Sequence, residues 1–301
     1  MNILSKTIVF SSIMSGIGQA EVTYTYQGGW DCFNHPPGKG DCALKLNCAD
    51  GEQSKMTKLE LNNPNIVNGD LKVDSSKQTE INFQGKITQG STNNGFMYVM
   101  SIKDIPQKAG LQILVSNSLT GDSPGILAFA LDTSAGLNKV KFTSIFKNTS
   151  GSIIEYPVSS SMDLSQLSTK PLTIAFGHQG IYPNNIAGLF FYVNGSTQLV
   201  QSNYSVDNKD KSLGNAILGK NVIGDMTNKK TKIIDGSYTL DNAYVYSLSR
   251  TDNTPVTVAD LQLRTSEAAR RCNNGAIPEP TTTALLGLVT LSFVMHRKRR
   301  E

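Results

Sequence analysis

The chain has 301 residues, with 28 Lys plus Arg against 24 Asp plus Glu, a formal net charge of +4 and four cysteines. Much of that charge lies at the two ends. Without segments 1–20 and 278–301 the body is left near +1, which gives no electrostatic case for binding nucleic acid or an anionic membrane surface. A body of this length suits one β-sandwich and excludes two large domains.

The amino end reads as a signal peptide, residues 1–20. Lys6 supplies a positive start, Thr7 to Ile17 an apolar stretch, and Gly18-Gln19-Ala20 a small-residue cleavage site, so the mature chain is expected to begin at Glu21. Export sets how the cysteines are read. Cys32, Cys42, Cys48 and Cys272 are an even set in an oxidising compartment, which implies two disulfides with three possible pairings. Gaps of this kind do not provide the C-x₂-C pairs of a zinc site. Three cysteines near the start and one near the end suggest a bridge joining the termini, and Cys32–Cys42 with Cys48–Cys272 is the preferred pairing.

The body is rich in strand signals. Val22–Tyr26, Glu80–Ile87, Phe96–Ile102, Gly125–Leu131, Val140–Phe146 and Leu172–Phe176 are short runs of alternating, β-branched or aromatic residues. Turn signals separate them at Asn93-Asn94-Gly95, Thr120-Gly121-Asp122, Thr149-Ser150-Gly151 and Asn194-Gly195. Strands without intervening helices predict a sandwich of two antiparallel sheets. One helix is expected, opening on Thr257-Val258-Ala259-Asp260 as a capping box and running toward Arg271. Trp30, the only tryptophan, stands beside Asp31-Cys32 and reads as core.

The second half carries a pattern. Leu172–Phe176 is followed by Gly188-Leu-Phe-Phe-Tyr-Val-Asn-Gly195, then Ala216-Ile-Leu-Gly-Lys-Asn221, then Ile234–Tyr238, Leu240–Tyr246 and Val258–Leu261. In this order the segments resemble the paired strands, short glycine strand and closing strand of laminin-G-like, concanavalin A-like domains, over roughly residues 171–261. The resemblance implies an all-β jelly-roll sandwich, placed over residues 21–272, with one short C-terminal helix; a linker at 273–277 and a C-terminal hydrophobic helix are read separately from the carboxyl end. Domains of this kind often hold one Ca²⁺ ion through loop carboxylates and backbone carbonyls, so no cofactor is required here and Ca²⁺ is the one candidate. Asp235 and Asp241 flank the closing strand and are the candidate ligands, while Asn242 stands where the family has Glu or Asp.

Chemistry is sparse. Hydrolysis of a glycosidic bond needs two carboxyl groups about 5–10 Å apart. The body's glutamates, Glu21, Glu52, Glu60, Glu80, Glu155 and Glu267, form no Glu-x-Asp-x-Glu triplet of the kind related laminarinase-type enzymes carry. His35 lies in a Pro-broken loop, and His178 reads as part of an exposed turn, Gly177-His178-Gln179-Gly180. No phosphate loop or dinucleotide fingerprint occurs. Ligand contact is therefore expected in a long loop, Gln179–Ile186, where Tyr182, Asn184 and Asn185 with His178 would offer a ring and amides to a glycan or matrix protein.

The carboxyl end is distinct from the body. Pro278-Glu279-Pro280 precedes an apolar stretch, Thr281 to Met295, and a basic end with Arg297, Lys298, Arg299 and Arg300. Moving those cations through hydrocarbon is costly, so they stay on the cytoplasmic side. Residues 281–295 as a helix reach only ~22 Å against a ~30 Å hydrocarbon core, which favours a transient span over a permanent one. Segment 278–301 resembles the PEP-CTERM sorting signal of Gram-negative bacteria. The resemblance implies recognition by an exosortase, cleavage near Pro-Glu-Pro and passage to the cell surface, with a plain membrane anchor as the alternative. The chain is accordingly expected to be an exported, non-catalytic binding sandwich. The alternatives are a carbohydrate-active enzyme of the same fold class and a passive matrix component.

Overall fold

A computed structural model describes residues 22–30, 59–68, 70–74, 76–83, 87–88, 94–104, 109–120, 125–148, 150–157, 162–164, 172–182, 186–205, 212–224, 232–251 and 254–274. The expected signal peptide and sorting element lie outside these residues, as do Cys32, Cys42 and Cys48; of the expected linker 273–277, Asn273 and Asn274 instead end the helix Val258–Asn274, and 275–277 lie outside. No helix among the described residues is long and apolar enough to cross a membrane.

Two sheets form the body. In the first, the strand order is β14 (Leu199–Ser205), β13 (Ile186–Val193), β12 (Leu172–Tyr182), β7 (Asn94–Asp104), β17 (Tyr238–Arg250), β4 (Asp70–Val73) and β3 (Ile66–Val67); β1 (Val22–Trp30) also pairs with β17. In the second the order is β11 (Ile153–Pro157), β10 (Lys141–Lys147), β9 (Gly125–Asp132), β8 (Leu111–Thr120), β15 (Ser212–Leu218), β5 (Glu80–Phe83) and β2 (Leu59–Asn62). Here β6 (Ile87–Thr88) joins β15, and β16 (Ile233–Ile234) joins β8. Every pairing is antiparallel except β16 on β8. The all-β, two-sheet expectation therefore holds.

The core between the sheets is aromatic. Phe142 of β10 stacks on Phe191 of β13 at 4.9 Å between ring centres, and Phe129 of β9 meets Phe96 of β7 edge-on at 5.9 Å. Offset and edge contacts of this kind add to area burial. Trp30 is buried in the same cluster. Polar bridges cross the core too: the Tyr98 hydroxyl donates to Asn117 Oδ1 at 2.6 Å, and the Tyr238 hydroxyl donates to the Leu114 carbonyl. Burying these phenols in pairs avoids the cost of an unsatisfied polar group.

β7 shows why its sequence lacks polar alternation. Phe96, Tyr98, Met100 and Ile102 enter the inter-sheet core, while Met97 and Val99 on the other face join a second cluster with Leu261 and Ala268. Those two residues belong to α1 (Val258–Asn274), the one helix longer than a single turn among the described residues, which lies over the outer face of the first sheet. Its start is the expected capping box. Asp260 N–H donates to Thr257 Oγ1 at 3.3 Å, and Asp260 Oδ2 accepts from the Thr257 hydroxyl at 2.7 Å and Thr257 N–H at 3.1 Å. The Arg264 guanidinium sits over Tyr24 and Tyr246 at 5.5 and 5.8 Å from the ring centres. Thr265 and Ser266 hydroxyls donate to Asn194 Oδ1 at the β13 turn, where Gly195 takes φ 84°. A third cluster, Ile223 and Ile233 on Ile113, Ala128 and Ile145, covers the outer face of the second sheet.

Candidate functional site

The expected contact region is built differently from its sequence reading. β12 does not stop at Phe176 but runs to Tyr182, and β13 starts at Ile186. Most of the expected loop Gln179–Ile186 is thus strand, and residues 183–185 lie outside the described residues. Tyr182 is the last residue of β12, while Asn184 and Asn185 lie outside the described residues.

His178 is a correction. It is a strand residue with no exposed surface, stacked on Phe96 with ring centres 6.0 Å apart and planes 8° apart. Its glycine neighbours mimic a turn in sequence but serve other ends: Gly177 allows close approach of the Phe96 backbone, and Gly180 lies in a bulge of β12 between His178 and Ile181. Gly180 there takes φ 99°, which an L side chain rarely adopts, and its N–H donates to His178 Nδ1 at 2.9 Å. Burial, reinforced by the Arg250 guanidinium, pushes the His178 imidazole down to about 3, so it is neutral at physiological pH.

Gln179 and Arg250 are buried with it and tie the approach to α1. Gln179 Oε1 accepts Val256 N–H at 2.9 Å, Arg250 Nη1 donates to the Thr254 carbonyl at 3.3 Å, and Gln201 Nε2 donates to the Val256 carbonyl at 3.3 Å. Three strands thereby hold segment 254–256 across the sheet. The outcome is a buried polar cluster at the Gln179 end of β12, tied to the segment before α1. No short motif announces it, because Arg250 and Gln179 are far apart in sequence.

The two candidate calcium ligands are not brought together. Asp235 is exposed after β16, and its Oδ1 accepts Asn221 N–H at 2.6 Å. Asp241 is buried in β17, where its Oδ1 meets Lys103 Nζ at 2.7 Å; the same ammonium lies 2.8 Å from Asp70 Oδ1. A cation already fills the space between these carboxylates, and it belongs to the chain. Burial raises the Asp241 carboxyl above the usual range, and the Lys103 hydrogen bond and charge pull it back. Asn242, at the family's carboxylate position, is buried and donates through Nδ2 to the Ala268 carbonyl at 2.8 Å, fastening α1 to β17. Among the described residues no three His, Cys, Asp or Glu side chains converge as a metal site. Glu60, Glu80 and Glu155 lie on β2, β5 and β11. Cys272 falls in the last turn of α1.

No protein-family model matches the chain, and no curated protein matches it in sequence. Solved structures similar to it include arcelin-5, a lectin-like defense protein from Phaseolus vulgaris, at 14% identity and TM-score 0.38, covering 76% of this chain and 99% of that one. A basic winged bean lectin with Tn-antigen aligns at 12% identity and TM-score 0.34, covering 76% and 99%. The alginate lyase from Klebsiella pneumoniae aligns at 10% identity and TM-score 0.35, covering 66% and 82%. Likenesses of this size carry no argument about activity, and the two-sheet architecture stands on strand order and register alone.

Proposed function

We propose that this is an exported protein whose laminin-G-like sandwich binds a glycan or matrix protein at the cell surface without catalysis, through the end where β12 passes to β13. The observation behind it is the buried cluster of His178, Gln179 and Arg250. Binding residues work best on short loops held by a rigid scaffold, and this cluster anchors β12 three residues before Tyr182. The neutral, buried His178 is a support in this reading, not a general base. Asp70 and Asp241 are not free to act as a hydrolytic carboxylate pair, because Lys103 fills the gap where a sugar or a water would sit.

Delivery rests on the two terminal elements. A signal peptide over 1–20 exports the chain, and the Pro278-Glu279-Pro280 element with its apolar and basic parts engages the membrane and an exosortase before release to the surface. Intact-mass measurement of protein recovered from the envelope is expected to show both ends trimmed; a retained Arg297–Arg300 cluster would refute processing.

The binding claim is tested by a glycan array and a matrix-protein panel probed with the purified chain and with Tyr182→Ala and Asn184→Ala/Asn185→Ala variants. Binding by the parent and its loss in the variants, at unchanged thermal stability, is the expected result. Release of reducing ends or unsaturated sugars from any arrayed polysaccharide would overturn the non-catalytic reading.

A further inference from the structure

Lys103, Asp70 and Asp241 come from three strands of one sheet, β7, β4 and β17, and converge on a single nitrogen. The Nζ–Oδ1 distances are 2.7 Å to Asp241 and 2.8 Å to Asp70. The Asp241 side chain keeps 5% of its exposure and that of Asp70 17%, while Lys103 keeps 36%. The register of β17 against β7 slips on both sides of Leu240, immediately before Asp241. Asn242, the next residue, is fixed to α1 through the Ala268 carbonyl. The carboxyl is therefore held from both directions, and the amine reaches it across adjacent strands.

A second lysine nearby shows the contrast. Lys72 lies 3.8 Å from Asp104 Oδ2, with the two side chains 42% and 72% exposed, and spends its hydrogen bond on Thr239 Oγ1. That is an ordinary solvated ion pair, of little energetic weight. The Lys103 arrangement differs in burial, in distance and in having two carboxylates with separate tasks.

We propose that Lys103 and Asp241 become joined by an intramolecular isopeptide bond, with Asp70 as the proton carrier. The Nζ proton passes to Asp70 as the nitrogen lone pair attacks Cγ of Asp241 in its neutral acid form. An N–C bond forms and a C–O bond breaks. The leaving hydroxyl takes the proton back from Asp70 and departs as water. An ammonium and a carboxylate become one neutral amide and one water, with no oxidant, reductant or cofactor. Burial favours the neutral acid of Asp241. The two carboxylates hold Lys103 as the ammonium, so the reacting amine is the minor form and the bond closes slowly. Slow closure suffices, because it happens once per molecule and holding the partners in place is equivalent to about 10⁵–10⁸ M of free reactant. The link would close a loop of roughly 140 residues, removing freedom from the unfolded chain as a long-range disulfide does.

The test is peptide mapping of the purified full-length protein after ageing, denaturation and reduction. The expected result is a branched peptide joining residues 103 and 241, one water lighter than its two parts. The branch is expected to vanish in Lys103→Ala and Asp241→Ala, to persist in Lys72→Ala, and to form about 100-fold more slowly in Asp70→Asn. Linear peptides alone, carrying unmodified Lys103 and Asp241 in aged folded wild-type protein, would overturn the proposal whatever the variants do. Equal rates in wild type and Asp70→Asn would overturn the role given to Asp70.

Discussion

Acidification offers a direct reading of the buried cluster around His178. His178 is fully buried beside Arg250 and titrates at about 3, against 6.5 for an unperturbed imidazole. Its folded value is depressed, so between pH 6.5 and 3 the unfolded chain binds the proton and the folded chain does not. Stability is then complete above pH 6.5 and declines as pH falls through that window. At about 1.4 kcal/mol per unit, His178 alone removes about 2 kcal/mol between pH 6.5 and pH 5. The assay is urea unfolding of the full chain at half-unit steps from pH 5 to 8, for wild type and His178→Gln. The variant loses the stack on Phe96, so its stability is lower throughout. The informative quantity is the slope, which is expected to be shallower by about 1.4 kcal/mol per pH unit below 6.5. His35 and the carboxylates contribute alike to both proteins and cancel. Parallel curves for the two proteins would refute the buried, neutral histidine.

Phe142 stacks on Phe191 of the facing sheet and on Phe129 of its own, and Phe142→Ala is expected to cost about 3–5 kcal/mol in chemical denaturation. Thr257→Ala removes the cap of α1 and is expected to cost about 1 kcal/mol, with a smaller loss for Thr257→Ser. A chelator is expected to leave the melting temperature of the wild-type chain unchanged, since Lys103 neutralises Asp70 and Asp241; a drop on EDTA reversed by Ca²⁺ would refute that assignment.

Much of the fold was legible because strand periodicity and turn chemistry act locally. Val22–Tyr26, Phe96–Ile102, Gly125–Leu131 and Leu172–Phe176 all lie within observed strands, and the Thr257–Asp260 box opens the helix as read. β8 escaped notice because its Ser116 and Asn117 look like a break, yet both are buried and Asn117 pairs with Tyr98 across the core. Asn93-Asn94-Gly95 read as a turn, but Asn94 and Gly95 begin β7; glycine is required there because a side chain would strike the His178 carbonyl. The same ambiguity misplaced His178. Glycine marks either a corner or a close approach of two backbones, and only the neighbouring strand distinguishes them. Lys103 gave no signal either, since its partners lie on strands remote in sequence.

β1 pairs with β17, joining Val22 to Arg250, and Arg264 of α1 clasps Tyr24 of β1. The earliest strand therefore has to wait for the end of the chain. At 5–20 residues per second of synthesis, that interval is roughly 10–50 s. Throughout it the tyrosines of β1 stay without their sheet partner, and the ring of contacts closes only once the helix that carries Arg264 has emerged.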